Sequence, residues 1–308
     1  MSRHLTVIAC LFAGIAATAT HAEEPSALAN RSPFQIKIIG FNDYHGNLQT
    51  PGSFGQNTAI LPAQRPPVGG AEYLAAYVAR LKAQNRLNVV VGAGDFIGAT
   101  PLISALFFDE PAVETLNRIG VEFSAVGNHE FDKGSAELLR LQKGGCKITD
   151  RARDPNSCLG TQVGTPVPFE GAKFQWLSAN VISTATGNTL LKPYGIKTFK
   201  GVRVAFIGMT LKATPTIVTP SGVAGLEFRD EADTVNALVP KLRKKGIEAI
   251  VVLVHQGGFQ GSGLSDINGC DGNLAGSGLA SVVARLDDAV DLVISGHTHA
   301  AYNCSANT

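Results

Sequence analysis

The chain has 308 residues and is 44% apolar, enough to bury one large core or two small ones. Its 26 Lys plus Arg nearly balance 25 Asp plus Glu. That balance offers no basic field for a nucleic-acid polymer or an anionic membrane surface.

Residues 1–22 read as a secretory signal. Arg3 and His4 make a short positive start, Leu5 to Ala17 is apolar, and Thr20-His21-Ala22 resembles a small-x-small cleavage site. The alternative is a membrane anchor, but the apolar run is short for a bilayer. Val7-Ile8-Ala9-Cys10 resembles a lipoprotein box but falls too early, with almost no apolar region before it. Cleavage removes Arg3 and no acid, leaving 25 basic against 25 acidic residues in a periplasmic or secreted chain without a stable membrane anchor.

Glu23 to Pro33 is polar and expected to be flexible, and residues 34–308 form the folded domain. Phe34 to Phe41 reads as a strand and Gln49 to Pro67 as a long loop. Gly69 to Lys82 has apolar residues at helical spacing, and Leu87 to Gly92 is a Val-rich buried strand. Helices are expected over Leu102–Phe108 and Val113–Ile119, separated by Asp109-Glu110-Pro111. A short strand, Phe123 to Val126, precedes a helix over Gly134–Leu141. Lys143 to Pro168 lacks periodicity and is an excursion. Phe174–Ser178 and Val202–Met209 are strands, Ala232–Lys244 an amphipathic helix, Ala249–Val254 a strand, Leu279–Leu286 a helix and Asp291–Ile294 a last strand. Strands alternating with helices predict an α/β fold with ligands beyond the strand ends.

Cys10 leaves with the signal, so Cys146, Cys158, Cys270 and Cys304 remain. An even count in an exported chain predicts two disulfides. Of the three pairings, local closure favours Cys146–Cys158 and Cys270–Cys304. A zinc site is the alternative, but no Cys-x-x-Cys pair exists.

Histidine carries the sharpest signal. Beyond the signal, His45, His129, His255, His297 and His299 each follow an apolar strand, and none is expected on a helix. Asp43-x-His45 and His297-x-His299 would each converge if extended, because residues two apart share a face. Taken alone, Asp95 could cap a helix and His255 could be a satisfied core histidine. Together they suggest a centre for zinc, manganese, cobalt or iron. Two dications about 3.5–4 Å apart lower the pKa of a water held between them and clamp the attacking and leaving oxygens.

The ordered series Asp43-x-His45, Gly94-Asp95, Gly127-Asn-His-Glu130, His255 and Gly296-His-x-His299 resembles the calcineurin-like metallophosphoesterases. Asn42-Asp-Tyr-His-Gly-Asn47 and Gly127-Asn-His-Glu-Phe-Asp132 look like the secreted 5′-nucleotidase and UDP-sugar hydrolase branch. The match runs from about Ile36 to Tyr302. The resemblance implies a four-layer α/β/β/α sandwich of two mixed sheets flanked by helices. It implies two divalent metal ions: Asp95 shared, Asp43, His45 and His299 on one, Asn128, His255 and His297 on the other. His129 would assist the leaving oxygen, and Asp132 would fix its tautomer. Glu130 has no ligand role in the pattern and is read as structural. In the nucleotidase branch the position of His299 is often an amide residue.

The implied reaction is hydrolysis of a small phosphate ester, 5′-nucleotides first and UDP-sugars second. The alternatives are a 2′,3′-cyclic nucleotide phosphodiesterase, a thiosulfohydrolase-like enzyme, or a non-catalytic periplasmic metal-binding protein. That last reading has no need of His129 and Asp132. Nucleotidases of this type carry a C-terminal domain with base-stacking aromatics. This sequence stops nine residues after His299, so a truncated chain without that domain is expected.

Overall fold

A computed structural model describes residues 32–50, 52–53, 67–159, 168–261 and 266–305. The expected signal, most of the flexible N-terminal segment and most of the loop over 49–67 lie outside these residues. Two four-stranded sheets carry the fold. The first holds β1 (Lys37–Phe41), β2 (Asn88–Gly92), β3 (Phe123–Ala125) and β4 (Gln175–Leu177), in that order and parallel throughout. The second holds β5 (Tyr194–Phe199), β6 (Val202–Thr210), β7 (Ala249–His255) and β8 (Leu292–Ser295). It is mixed, because β5 and β6 form an antiparallel hairpin while β6, β7 and β8 are parallel. The expected pair of mixed sheets is thus one parallel and one mixed. Helix-bearing crossovers join successive strands of the first sheet, and crossovers return strands parallel.

The β6 and β7 runs are apolar without alternation because both faces are covered. Ala205, Ile207 and Met209 of β6 pack with Val235, Val239 and Leu242 of α5 (Glu231–Lys244). The intervening Phe206 stacks on Phe123 of the first sheet, with ring centroids 5.2 Å apart. On the other outer face, α1 (Ala71–Ala83), α3 (Glu110–Ile119) and α4 (Ser135–Lys143) cover β1, β2 and β4, with Leu116, Leu138, Phe174 and Trp176 among the buried residues. The result is the four-layer order helix, sheet, sheet, helix.

Two local departures from expectation have plain causes. Helix α3 begins at Glu110 rather than Val113, with Pro111 inside its first turn. Proline is tolerated there because a first-turn N–H has no intrahelical partner. Strand β5 goes unpredicted because Gly195 and Lys197 look loop-like; a Cβ on Gly195 would strike the Phe123 ring, so the inter-sheet packing requires glycine. Among the described residues no helix is long and apolar enough to cross a membrane.

Both expected cysteine pairs form, with Cα–Cα distances of 5.4 Å for Cys146–Cys158 and 5.0 Å for Cys270–Cys304. Around the first, buried Glu110 accepts from Arg140 at 2.8 Å, Ser157 Oγ at 2.5 Å and Cys158 N at 2.8 Å, tying the excursion to the core. The bridges span 12 and 34 positions. Loop-closure entropy gives the shorter about 3 kcal/mol and the longer about 4 kcal/mol. Denaturant unfolding of Cys146→Ser/Cys158→Ser and Cys270→Ser/Cys304→Ser chains should therefore show the second losing more stability. The reverse order would show that strain or residual structure outweighs loop length.

Candidate metal centre

The carboxyl ends of β1, β2, β3, β7 and β8 converge; His255 closes β7, and the loops leaving the other four carry the remaining predicted metal and catalytic residues. Asp43, His45, Asp95, His297 and His299 all have positive φ, between 44° and 78°. Non-glycine residues enter this region at a cost of about 1–3 kcal/mol each and concentrate at sites that need them. This corrects the extended geometry expected for Asp43-x-His45 and His297-x-His299. Strand β1 ends at Phe41 and β8 at Ser295, so each pair converges through tight left-handed loops, not through strand alternation. Asp95 is likewise no helix cap, since the following helix, α2 (Leu102–Ala105), starts well beyond it.

Glycine makes the approach of the β2 and β3 loops possible. A Cβ on Gly94, whose φ is +93°, would lie 2.6 Å from both Gly127 N and His255 Nδ1. A Cβ on Gly127 would overlap Asp95 Oδ1. Asp95 and His255 are consequently sealed from solvent at 1% and 0% exposure.

The protonation of the imidazoles follows from their backbone partners. His255 Nδ1 lies 2.7 Å from Ala93 O, and His45 Nδ1 lies 2.8 Å from Gly98 O. A carbonyl only accepts, so Nδ1 carries the proton in both rings and Nε2 is the inward-facing nitrogen. His255 Nε2 faces Asp95 Oδ2 at 2.9 Å and Asn128 Oδ1 at 3.1 Å. His45 Nε2 faces His299 Nε2 at 3.3 Å and Asp95 Oδ2 at 3.8 Å. His299 Nε2 is 3.4 Å from Asp43 Oδ1, and the His255 and His297 rings are 5.1 Å apart. Nitrogen and oxygen lone pairs converge here with only a cation, proton or metal, to reconcile them. Burial disfavours a charged His255, but the hydrogen bond to Asp95 and the charges of Asp95, Asp43 and Glu130 outweigh it and raise its pKa to about 8. Burial and the positive charge of His255 lower that of His297.

Among the described residues, three groups bring metal-binding atoms within 4.8 Å of one another: Asp43, His45 and His299; His45, Asp95 and His129; and Asp95, His255 and His297. The donor set suits a borderline divalent ion such as zinc, manganese, cobalt or iron. Asp95 belongs to groups on both sides. Its Oδ1 accepts from His129 N at 2.9 Å, so Oδ2 is the atom presented to both His45 and His255.

His129 opens a 3-10 turn, His129–Phe131, instead of lying in the open loop expected. Its Nδ1 is 2.8 Å from Asp132 Oδ2, and both side chains are about one-third exposed, at 33% and 30%. The hydrogen bond that His129 donates to Asp132 raises the His129 pKa against the opposing effect of burial. The ring stands edge-on to His45, with centroids 5.1 Å apart.

Two supporting residues, Asn42 in the first motif and Glu130 read as structural, have partners that the sequence did not reveal. Asn42 Nδ2 contacts Asp43 Oδ2, and the His297 N–H donates to both Asp43 oxygens at 3.1 and 3.0 Å, which sets that carboxylate. Glu130, wholly buried, accepts from the N–H groups of Asp95, Phe96, Ile97 and Gly127. Burial and the Asp95 charge push its carboxyl up to about 7, yet all four of these hydrogen-bond partners are N–H donors, an arrangement that suits the carboxylate. The only local signal was an acid placed one residue after a ligand-rich Asn-His pair.

Histidines and carboxylates gathered at the carboxyl ends of two packed sheets form a candidate metal centre. The chain belongs to the calcineurin-like phosphoesterase family, whose pattern it matches over residues 36–301. Members of that family are phosphoesterases that use divalent metals. Endonuclease YhcR of Bacillus subtilis is 33% identical over 275 residues, covering 88% of this chain and 20% of that protein. A 5′-nucleotidase of Vibrio cholerae is 27% identical over 268 residues, covering 86% of this chain and 40% of that protein. The solved structure of a 5′-nucleotidase precursor from Thermus thermophilus matches with a TM-score of 0.59 at 26% identity, covering 86% of this chain and 42% of that one. The chain spans between a fifth and about two fifths of the length of these relatives.

Proposed function

We propose that this chain hydrolyses phosphate esters of nucleotides, 5′-nucleotides first, with two divalent cations held around Asp95. Asp43, His45 and His299 would complete one site, and Asn128, His255 and His297 the other. The observation that carries this reading is the single Asp95 oxygen facing His45 on one side and His255 on the other. Relatives named 5′-nucleotidase support the substrate class. The two disulfides support an exported, oxidised location.

When bound, the two cations lower the pKa of an attacking water and polarise the phosphoryl oxygens. The chain's own residues do the rest. Asp132 holds the proton on His129 Nδ1, leaving Nε2–H free to protonate the leaving oxygen as the P–O bond breaks. The exposed face of His129 lets solvent return that proton. Asn128 contributes a neutral oxygen, which limits the negative charge that would repel the phosphate.

The test is hydrolysis of 5′-AMP, UDP-glucose, 2′,3′-cyclic AMP, bis-p-nitrophenyl phosphate and single-stranded DNA under Mn²⁺, Co²⁺ or Zn²⁺, read as phosphate from the monoester and as nucleotide, nitrophenolate or shortened strands from the others. Preference for 5′-AMP supports the reading. Preference for DNA would favour the polymer chemistry that the name of the Bacillus relative states, and no turnover of any ester would defeat it. Asn128→Ala is expected to weaken one of two Mn²⁺ binding phases in calorimetry and leave the other. Uniform weakening of both would contradict its placement in a single site.

A further inference from the structure

Glu130 is 2% exposed and takes its hydrogen bonds from backbone N–H groups, through which it joins the two central loops of the site. Its Oε1 accepts from Phe96 N at 2.8 Å and Ile97 N at 3.4 Å. Its Oε2 accepts from Asp95 N at 2.9 Å and Gly127 N at 2.6 Å. The bond is returned, because Asp95 Oδ1 accepts from His129 N, the residue preceding Glu130. Each loop therefore sends a carboxylate into the backbone donors of the other. Asp95 sits at φ 50°, a conformation its backbone avoids unless the surroundings impose it. Three consecutive N–H groups turned onto one carboxylate are such an imposition.

We propose that Glu130 is a positioning residue whose carboxylate clamps the Asp95–Ile97 backbone to Gly127, holding Asp95 Oδ2 between the two groups of histidines so that a pair of cations can share it. This rests on the dimetal reading above. Without the clamp three N–H groups of the loop at Asp95, and that of Gly127 on the other loop, lose their acceptor at once, and the shared oxygen loses its fixed place. The neighbouring buried carboxylate Glu137 is the natural contrast, since its partners are Arg140 and Lys147 and none belongs to the site.

The experiment titrates Mn²⁺ into full-length wild-type, Glu130→Gln, Glu130→Asp and Glu137→Gln proteins, following affinity by calorimetry and spin-coupled pairs by electron paramagnetic resonance. Glutamine keeps the volume but turns an NH₂ toward N–H donors. Aspartate keeps the charge but is too short to span both loops, and it serves where glutamine prevents folding. Both Glu130 variants should bind Mn²⁺ about 10–100-fold more weakly and lose the coupled-pair signal. Glu137→Gln should melt earlier yet keep wild-type affinity and signal. A folded Glu130 variant with wild-type affinity and coupling overturns the clamp while leaving the dimetal reading intact. A wild-type protein that never shows a coupled pair removes the dimetal reading and the clamp with it.

Discussion

His129→Ala is expected to lower kcat on 5′-AMP by about 10²–10⁴-fold while the protein keeps its divalent cations. The two halves of this expectation come from different atoms of one residue. Proton delivery belongs to the ring, whose Nδ1 is engaged by Asp132 at 2.8 Å and whose Nε2 is left to act. Support of the centre belongs to the backbone, because His129 N donates to Asp95 Oδ1, and alanine retains that N–H. A substrate with an activated leaving group separates the effects. p-Nitrophenolate departs without help, so p-nitrophenyl phosphate should suffer much less from the substitution than 5′-AMP. Asp132→Asn should move in the same direction, since an amide NH₂ facing Nδ1 favours the wrong tautomer. Equal losses on both substrates, or lost cations by elemental analysis, would remove His129 from the acid role.

Some of this site is legible in the sequence and some is not, for physical reasons. Alone, His255 read better as a satisfied core histidine, and it became readable as a site residue because the other four histidines share its placement at strand ends. The cysteine pairs were readable because short closures cost least. The left-handed backbone at Asp43, His45, Asp95, His297 and His299 was not, because positive φ is uncommon in any non-glycine residue and, although Asp and His enter it more readily than most, nothing local announces where. Glu130 was read as structural, but what it supports stayed hidden for a related reason. Its partners are backbone N–H groups, three of them more than thirty positions away, and a backbone donor leaves no trace in residue identity. Strand β5 was hidden because Gly195 answers to the Phe123 ring across the sheet interface and not to its own neighbours.

Asp95→Asn is the substitution expected to matter most, and its effect on activity should part company with its effect on the metal-free fold. Wild-type Asp95 stands 2.9 Å from His255 Nε2, and that hydrogen bond together with His255's charge lowers its pKa in spite of burial. Replacing this pair by a neutral amide and a neutral imidazole exchanges one buried ion pair for a polar pair of the same shape. Such exchanges are close to neutral because the desolvation of two charges disappears along with their attraction. The metal-free melting temperature should therefore change little. Cation binding has no such compensation, because the anion facing both histidine groups is gone and the amide offers one oxygen, which the His129 N–H claims. In wild type, Mn²⁺ at a hundred times its Kd should add about 2.7 kcal/mol per site to stability. Most of that increment should vanish in Asp95→Asn, and kcat/KM should fall roughly a thousandfold or more, about 4 kcal/mol of transition-state stabilisation. Thermal melts with and without Mn²⁺ read both quantities on the same samples. An Asp95→Asn protein with an undiminished Mn²⁺-induced rise would mean that the cations do not share this carboxylate.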